Sequence, residues 1–269
     1  LSVMKKQKNK KKITGFSAVW IIIGCALVAF CFFYFVCGNP SNFDAKGNPI
    51  PGNIFGTLYQ GGFVIPIVLT LLFTVFAISV ERALAMNKAK GNGKLIEFIG
   101  NIKLTLKNGD LNEAHQLCDK QQGSVSNILN AALIRYEDVE KQNISNEAKA
   151  ALVEKEIEDA TSLELPALEQ NLSIVAVISS LGTLMGLLGT VLGMIRSFSA
   201  MGQEGAPDST ALAIGISEAL LNTACGIATG ALAIISYNYF AGKVQNITNY
   251  VNEIGFTLGQ LFTKKDLKA

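Results

Sequence analysis

The sequence predicts an all-α integral membrane protein, with four transmembrane helices and long helices running into a helical cytoplasmic domain. Three observations carry that reading. Only 16% of the 269 residues are charged and 49% are hydrophobic, where a soluble domain averages about 25% charged. The apolar residues gather into four long runs, Phe16 to Cys37, Phe63 to Met86, Leu172 to Phe198 and Ala211 to Phe240. A hydrocarbon core about 30 Å thick needs roughly 20 apolar residues as a helix. Nowhere does the chain alternate with the period of two that a half-buried strand requires.

Basic residues orient the spans. Lys5, Lys6, Lys8, Lys10, Lys11 and Lys12 precede the first run, the segment between the first two spans has only Lys46, and the loop after the third has Glu204 and Asp208 but no Lys or Arg. Most of the remaining basic residues fall between the second and third spans and after the fourth. The expected organisation is a basic cytoplasmic N-terminus (1–12), a first span (13–38), a periplasmic segment (39–62) and a second span (63–86). A cytoplasmic helical domain (87–171), a third span (172–199), a periplasmic loop (200–210), a fourth span (211–240) and a cytoplasmic helix or tail (241–269) follow.

A Lys-rich start and an apolar run are also the ingredients of a cleavable signal peptide, and Ile22-Ile23-Gly24-Cys25 resembles a lipoprotein cleavage box. The run nevertheless continues to Cys37, beyond the roughly 7–15 apolar residues of a signal. A retained helix is the better reading.

Several function classes are excluded. Cys25, Cys31, Cys37, Cys118 and Cys225 form no CxxC pair, so no metal site or disulfide framework is indicated. His115, the sole histidine, lacks a ligand or catalytic constellation and reads as a surface residue. There is no GxxxxGK[ST] loop, no GxGxxG after a strand and no Ser-His-Asp or Cys-His set. Neither an enzyme nor a cofactor is expected. With a net charge of +2, nothing points to a nucleic-acid partner.

The middle segment reads as helices. Asn108-Gly109-Asp110 is a turn with an N-cap opening a helix through Ala114, Leu117 and Cys118. Ser124-Val125-Ser126 opens another carrying Ile128, Leu129, Ala132, Leu133 and Tyr136. From Asn146, Leu152, Ile157, Leu163, Leu168 and Leu172 interleave with Glu154, Glu156, Glu158, Asp159, Glu164 and Glu169. Pro166 would kink this stretch, and the pattern otherwise predicts one extended helix continuing into the third span. Its acidic run reads as a solvated face in preference to a cation antenna.

The last two spans are less uniformly apolar. Gly182, Gly186, Gly189 and Gly193 recur every three or four residues, which on a helix makes a stripe without side chains. Lipid gives helices no hydrophobic reason to associate, so such a stripe lets backbones touch and supplies packing energy. On that face also lie Ser179, Thr183, Thr190 and Ser197; on one face of the fourth span lie Gly215, Glu218, Asn222, Cys225, Thr229 and Ser236. Most of these hydroxyls suit interhelical hydrogen bonding worth roughly 0.6–2 kcal/mol per contact. Glu218 asks for more, because a charged carboxylate at mid-bilayer costs roughly 3 kcal/mol and so marks a pathway or a paired site. Arg196 is the candidate pair, with Glu204 an alternative partner for that arginine. Thr223, five residues beyond Glu218, is rotated about 140° from it and faces a different neighbour.

Three segments in order resemble the ExbB/TolQ/MotA proton-channel family, most closely its ExbB-like biopolymer transport subunits. Glu81-Arg82 closes the second span. The third carries Gly186-Leu187-Leu188-Gly189-Thr190-Val191-Leu192-Gly193-Met194-Ile195, and the fourth Ile216-Ser217-Glu218-Ala219-Leu220-Leu221-Asn222-Thr223-Ala224-Cys225-Gly226, ending near Tyr237-Asn238. The resemblance implies a bacterial inner-membrane protein forming a homo-oligomeric, pentamer-like pore surrounded by lipid. It implies single-span ExbD-like partners with a membrane Asp, and a TonB-like protein that receives the work for outer-membrane uptake.

By that resemblance, Thr190 and Thr223 face the partner Asp, with Glu218, Asn222 and Thr183 completing the pore lining. Gly182, Gly186, Gly189, Gly193 and Gly226 pack helices, and Glu81 and Arg82 are charges at the cytoplasmic interface. The chain departs from the family at Gly182-Thr183, where Ala-Pro is usual, and at Leu232, where Pro is usual. Thr183 and Asn222 add polarity at apolar family positions, so protons are the default ion and sodium the alternative. The first span is extra relative to the commonest three-span form. A TolQ-like or gliding-motility stator and a non-conducting membrane scaffold are the competing readings.

Overall fold

The computed structural model describes residues 18–45, 47–203 and 209–266. The N-terminal lysines, Lys46, Glu204 and Asp208, on which the orientation rests, lie outside the described residues, as does the suggested Arg196–Glu204 pair. Nine α-helices are described: α1 (Ala18–Cys31), α2 (Ile54–Gln60), α3 (Val64–Lys90), α4 (Leu95–Asn108), α5 (Leu111–Gln121), α6 (Ser124–Glu140), α7 (Asn146–Glu169), α8 (Leu172–Gln203) and α9 (Ser209–Asp266). No strand occurs among the described residues beyond an isolated bridge between Phe43 and Pro49. Among the described residues four helical stretches contain a window long and apolar enough to cross a bilayer: Ala18–Cys37, Val64–Asn108, Leu172–Ser199 and Leu212–Phe262.

The chain divides into two compact units. The first, Phe16–Glu81 with Asn171–Tyr239, holds the apolar windows. Here α1 passes into a π-helical turn, Phe32–Cys37, closed by Gly38 N–H donating to Phe33 O (3.0 Å). The last carbonyls of a helix have no partner within it. Asn42 Nδ2 donates to two of them, Val36 O (2.7 Å) and Cys37 O (3.0 Å). Asn53 Nδ2 in turn donates to Asn42 Oδ1 (2.9 Å), while Asn53 Oδ1 caps α2 by accepting from Phe55 N (3.0 Å) and Gly56 N (3.3 Å). Phe33 stacks on Tyr59 with centroids 4.9 Å apart. Ala29, Phe33 and Cys37 pack with Leu58, Ile65 and Leu69, against Leu221 and Cys225. The segment expected only as a periplasmic connection is thus built from a short 3₁₀ turn, Pro40–Asn42, and α2.

The second unit, Arg82–Gln170 with Phe240–Ala269, is packed as a water-soluble domain is. Leu95, Phe98, Ile99, Ile102 and Leu106 form the buried stripe of α4 at helical spacing. That helix ends at Gly109 (φ 79°), whose N–H donates to Leu106 O (3.1 Å); a left-handed residue there suits glycine. Asp110 then caps α5 by accepting from Glu113 N (2.9 Å), as the Asn108-Gly109-Asp110 turn predicts. In α6, Ile128, Leu129, Ala132, Leu133 and Tyr136 are all buried. The last part of α9 buries Val244, Ile247, Val251, Ile254, Leu258 and Phe262, and Phe262 stacks on Tyr136 with centroids 4.4 Å apart.

One expectation is corrected. The stretch from Asn146 is not one helix into the third span: α7 ends at Glu169, Asn171 takes a left-handed φ of 65°, and α8 starts at Leu172. Arg82 explains the stop. Its Nη1 donates to Ala167 O (3.1 Å) and Leu168 O (3.3 Å), carbonyls that a continuing helix would bond to the amides of 171 and 172. Asparagine tolerates the left-handed conformation better than most residues. The uninterrupted helix is instead α9, 58 residues long. Among the apolar residues that interleave with the acidic run of α7, Leu163 faces outward. It is 82% exposed, and the buried residues are Val153, Ile157 and Leu168; steps of five and six residues between 152, 157, 163 and 168 rotate around a helix and do not stay on one face.

Candidate functional site

The glycine stripe of α8 faces α9 at distances that exclude side chains. A β-carbon on Gly186 would come within 2.8 Å of the Gly226 Cα, one on Gly189 within 2.7 Å of the Asn222 Cβ, and one on Gly193 within 2.9 Å of the Ala219 Cβ. One on Gly182 would lie 3.2 Å from Gly230 N. Backbone against backbone is the contact that small residues permit in lipid.

Along this seam the structure brings two predicted site residues together. The hydroxyls of Thr190 and Thr223 are in direct hydrogen-bonding contact. Thr190 Oγ1 also lies 3.3 Å from both Gly186 O and Ala219 O, and Thr223 Oγ1 lies 3.3 Å from Gly186 O. Each hydroxyl carries one proton and two lone pairs. Two protons therefore serve two carbonyls and the hydroxyl–hydroxyl contact, and a rotation of either hydroxyl redistributes them. Both threonines are partly exposed at the surface of the single chain, so a group from outside can reach them.

The other candidates are placed differently. Glu218 is half-buried, with Arg196 as the charged neighbour that acts on it electrostatically. The guanidinium of Arg196 lies over Gly62 (φ 74°), where a β-carbon would come within 3.0 Å of Nη2. Thr183 is exposed and donates to Ser179 O (3.4 Å) within its own helix. Asn222, grouped with the pore lining from sequence, is 1% exposed. Its Nδ2 donates to Gly61 O (3.3 Å) and Gly189 O (3.4 Å), so within the protomer it is interior.

Glu81 and Arg82, expected as interface charges, sit beside the α7–α8 break. Glu81 Oε2 accepts from Asn171 Nδ2 at 3.5 Å. Arg82 is 0% exposed and caps α7. Sequence reasoning missed Ser79, whose hydroxyl meets that of Ser236 at 2.6 Å between α3 and α9; one serine in an apolar run carries no signal. The Gly61-Gly62 corner was also missed, although two glycines just before an apolar run mark a tight turn. His115 is less isolated than expected, with Asn130 Oδ1 2.6 Å from Nδ1 and Glu137 Oε1 3.4 Å from Nε2. Among the described residues no cluster of His, Cys, Asp and Glu has the makings of a metal site.

Residues 122–253, which include the glycine stripe, both threonines and Glu218, match the MotA/TolQ/ExbB proton channel family. The chain is 31% identical over 111 residues to the biopolymer transport protein ExbB of Aquifex aeolicus, a match covering 41% of this chain and 68% of that protein. It belongs to this family. The ExbB of Helicobacter pylori is 42% identical over 85 residues, covering 32% of this chain and 57% of that protein. The Tol-Pal system protein TolQ of Haemophilus influenzae is 22% identical over 215 residues, or 75% of this chain and 91% of that protein. The chain spans between 41% and 66% of the length of three of its curated relatives. Four apolar helices and membership of the MotA/TolQ/ExbB family make this a multi-pass membrane protein, and the family is one of proton channels, not of enzymes.

Proposed function

We propose that this chain is the wall-forming subunit of a proton-driven machine in the bacterial inner membrane, with both termini and the 87–171 domain in the cytoplasm. Copies of the chain assemble as a homo-oligomer, pentamer-like by resemblance, around single-span ExbD-like proteins that carry a membrane Asp. Proton passage through that Asp does work on a TonB-like protein for outer-membrane nutrient uptake.

The observation that carries the proposal is the Thr190–Thr223 hydroxyl contact on the seam where the backbones of α8 and α9 meet. A charged Asp entering a dry pore needs donors. The threonine pair supplies two protons, either of which can turn from a backbone carbonyl to a carboxylate. Hydroxyls do this without holding a charge of their own, so they add no charged group to the membrane. Glu218, beside Arg196, is the second polar element of the wall.

The test is proton-driven uptake by Thr190→Val, Thr223→Val and Glu218→Gln in chains that assemble and reach the membrane. A hydrogen bond to a charged group contributes about 1.5–3 kcal/mol, so each threonine variant should slow uptake by roughly 10- to 100-fold. Full uptake by all three variants sinks the proposal. TolQ-like envelope work and gliding motility remain the second reading within the family. Deletion separates them, with lost siderophore, haem or vitamin uptake on one side and blebbing or lost movement on the other. A non-conducting scaffold predicts that no single-span protein with a membrane Asp copurifies.

A further inference from the structure

Asn222 is a buried amide inside a membrane bundle, and the pore reading has no use for it there. Its Nδ2 reaches two backbone carbonyls on different segments, Gly61 O at the turn before α3 and Gly189 O on α8. Both receiving residues are glycines pressed against it. A β-carbon on Gly61 would come within 2.6 Å of Asn222 Oδ1, and one on Gly189 within 2.7 Å of the Asn222 Cβ. Turning the amide over would bring Oδ1 against two carbonyl oxygens, so its orientation is set. Asn222 Oδ1 is buried without a hydrogen-bond partner, a cost that a residue chosen only for packing would not carry.

Three segments therefore meet on one side chain, and that side chain is the immediate neighbour of Thr223, as Gly189 is of Thr190. We propose that Asn222 is a positioning residue: by tying α9 to Gly189 and to the Gly61 corner together, it sets the register that brings the Thr190 and Thr223 hydroxyls into contact. The functional weight of this role rests on the threonine pair being the working site; the register itself does not.

The experiment uses the full chain in its native membrane, with the five native cysteines replaced. Cysteine pairs are introduced at two places: Thr190→Cys with Thr223→Cys at the site, and Ser79→Cys with Ser236→Cys as a control on α3 and α9. Disulfide yield under a membrane-permeant oxidant is measured with Asn222 intact, with Asn222→Leu, and with Gly61→Ala, which disturbs the same amide from the opposite side. Losing two ordinary hydrogen bonds sets the scale, so both variants should lower the 190–223 yield about tenfold and leave the 79–236 yield unchanged. An unchanged 190–223 yield overturns the proposal. So does an equal fall at both pairs, which would make Asn222 a support of the whole bundle, and so does failure of the 190–223 pair to form with Asn222 intact. If Thr190→Val and Thr223→Val retain full uptake, the functional reading fails, and the cross-linking still decides the register.

Discussion

The α8–α9 seam and the core around α4, α6 and the end of α9 are both helix against helix, yet they are assembled by opposite means. In the core, Phe98, Ile102, Leu106, Ile128, Leu133 and Phe262 fill the space between helices. At the seam, Gly182, Gly186, Gly189 and Gly193 remove side chains so that backbones meet. The solvent accounts for the difference. Water rewards burial of apolar area by roughly 25 cal/mol per Å², so large side chains are worth placing inside. Lipid offers no such reward, and adhesion comes from close van der Waals contact and from hydrogen bonds such as those of Thr190, Thr223 and Asn222.

Three substitutions sharpen or break that contrast, each read as the change in unfolding of the full chain in detergent. Phe262→Ala removes a ring that is 1% exposed and stacked on Tyr136, and should destabilise by about 3–5 kcal/mol. A loss below about 1 kcal/mol, the range of minor substitutions, would mean that the core is not held by burial. Gly186→Ala adds one methyl group and a better helix former, but here its β-carbon lies 2.8 Å from the Gly226 Cα. It should destabilise by roughly 1–3 kcal/mol, and a stabilised variant would end the account of the seam as backbone contact. Lys94→Ala breaks an exposed ion pair with Glu97 at 3.0 Å. It should change stability by no more than about 0.5 kcal/mol, since solvent screens this pair whatever holds the helices.

The same contrast decides what could be read in advance. Local signals were legible: the apolar runs, the glycine spacing, the Asn108-Gly109-Asp110 turn and the stripe of α6 each lie within a few neighbouring residues. The break at Asn171 was not, because the group that ends α7 is Arg82, 85 residues before the Ala167 carbonyl it holds and in a different helix. Helical spacing placed Asn222 on a polar face but could not say which neighbour that face meets. Its burial depends on the Gly61 corner, 161 residues away.

The π turn at Phe32–Cys37 has a consequence for chain length. A π turn holds one residue more than the α turn it replaces, and Asn42 serves two of its carbonyls with one amide. A single-residue deletion there need not shorten the span by a step. It would convert the turn to α geometry and leave the residues before and after it in nearly their present facing, because the extra residue is absorbed within the turn. Only the side chains of the turn itself, Phe33 and Tyr34 among them, would shift against their neighbours. In this stretch one residue can be lost without turning the rest of the span, whereas the same deletion within Ala18–Cys31 would rotate what precedes it by about 100°.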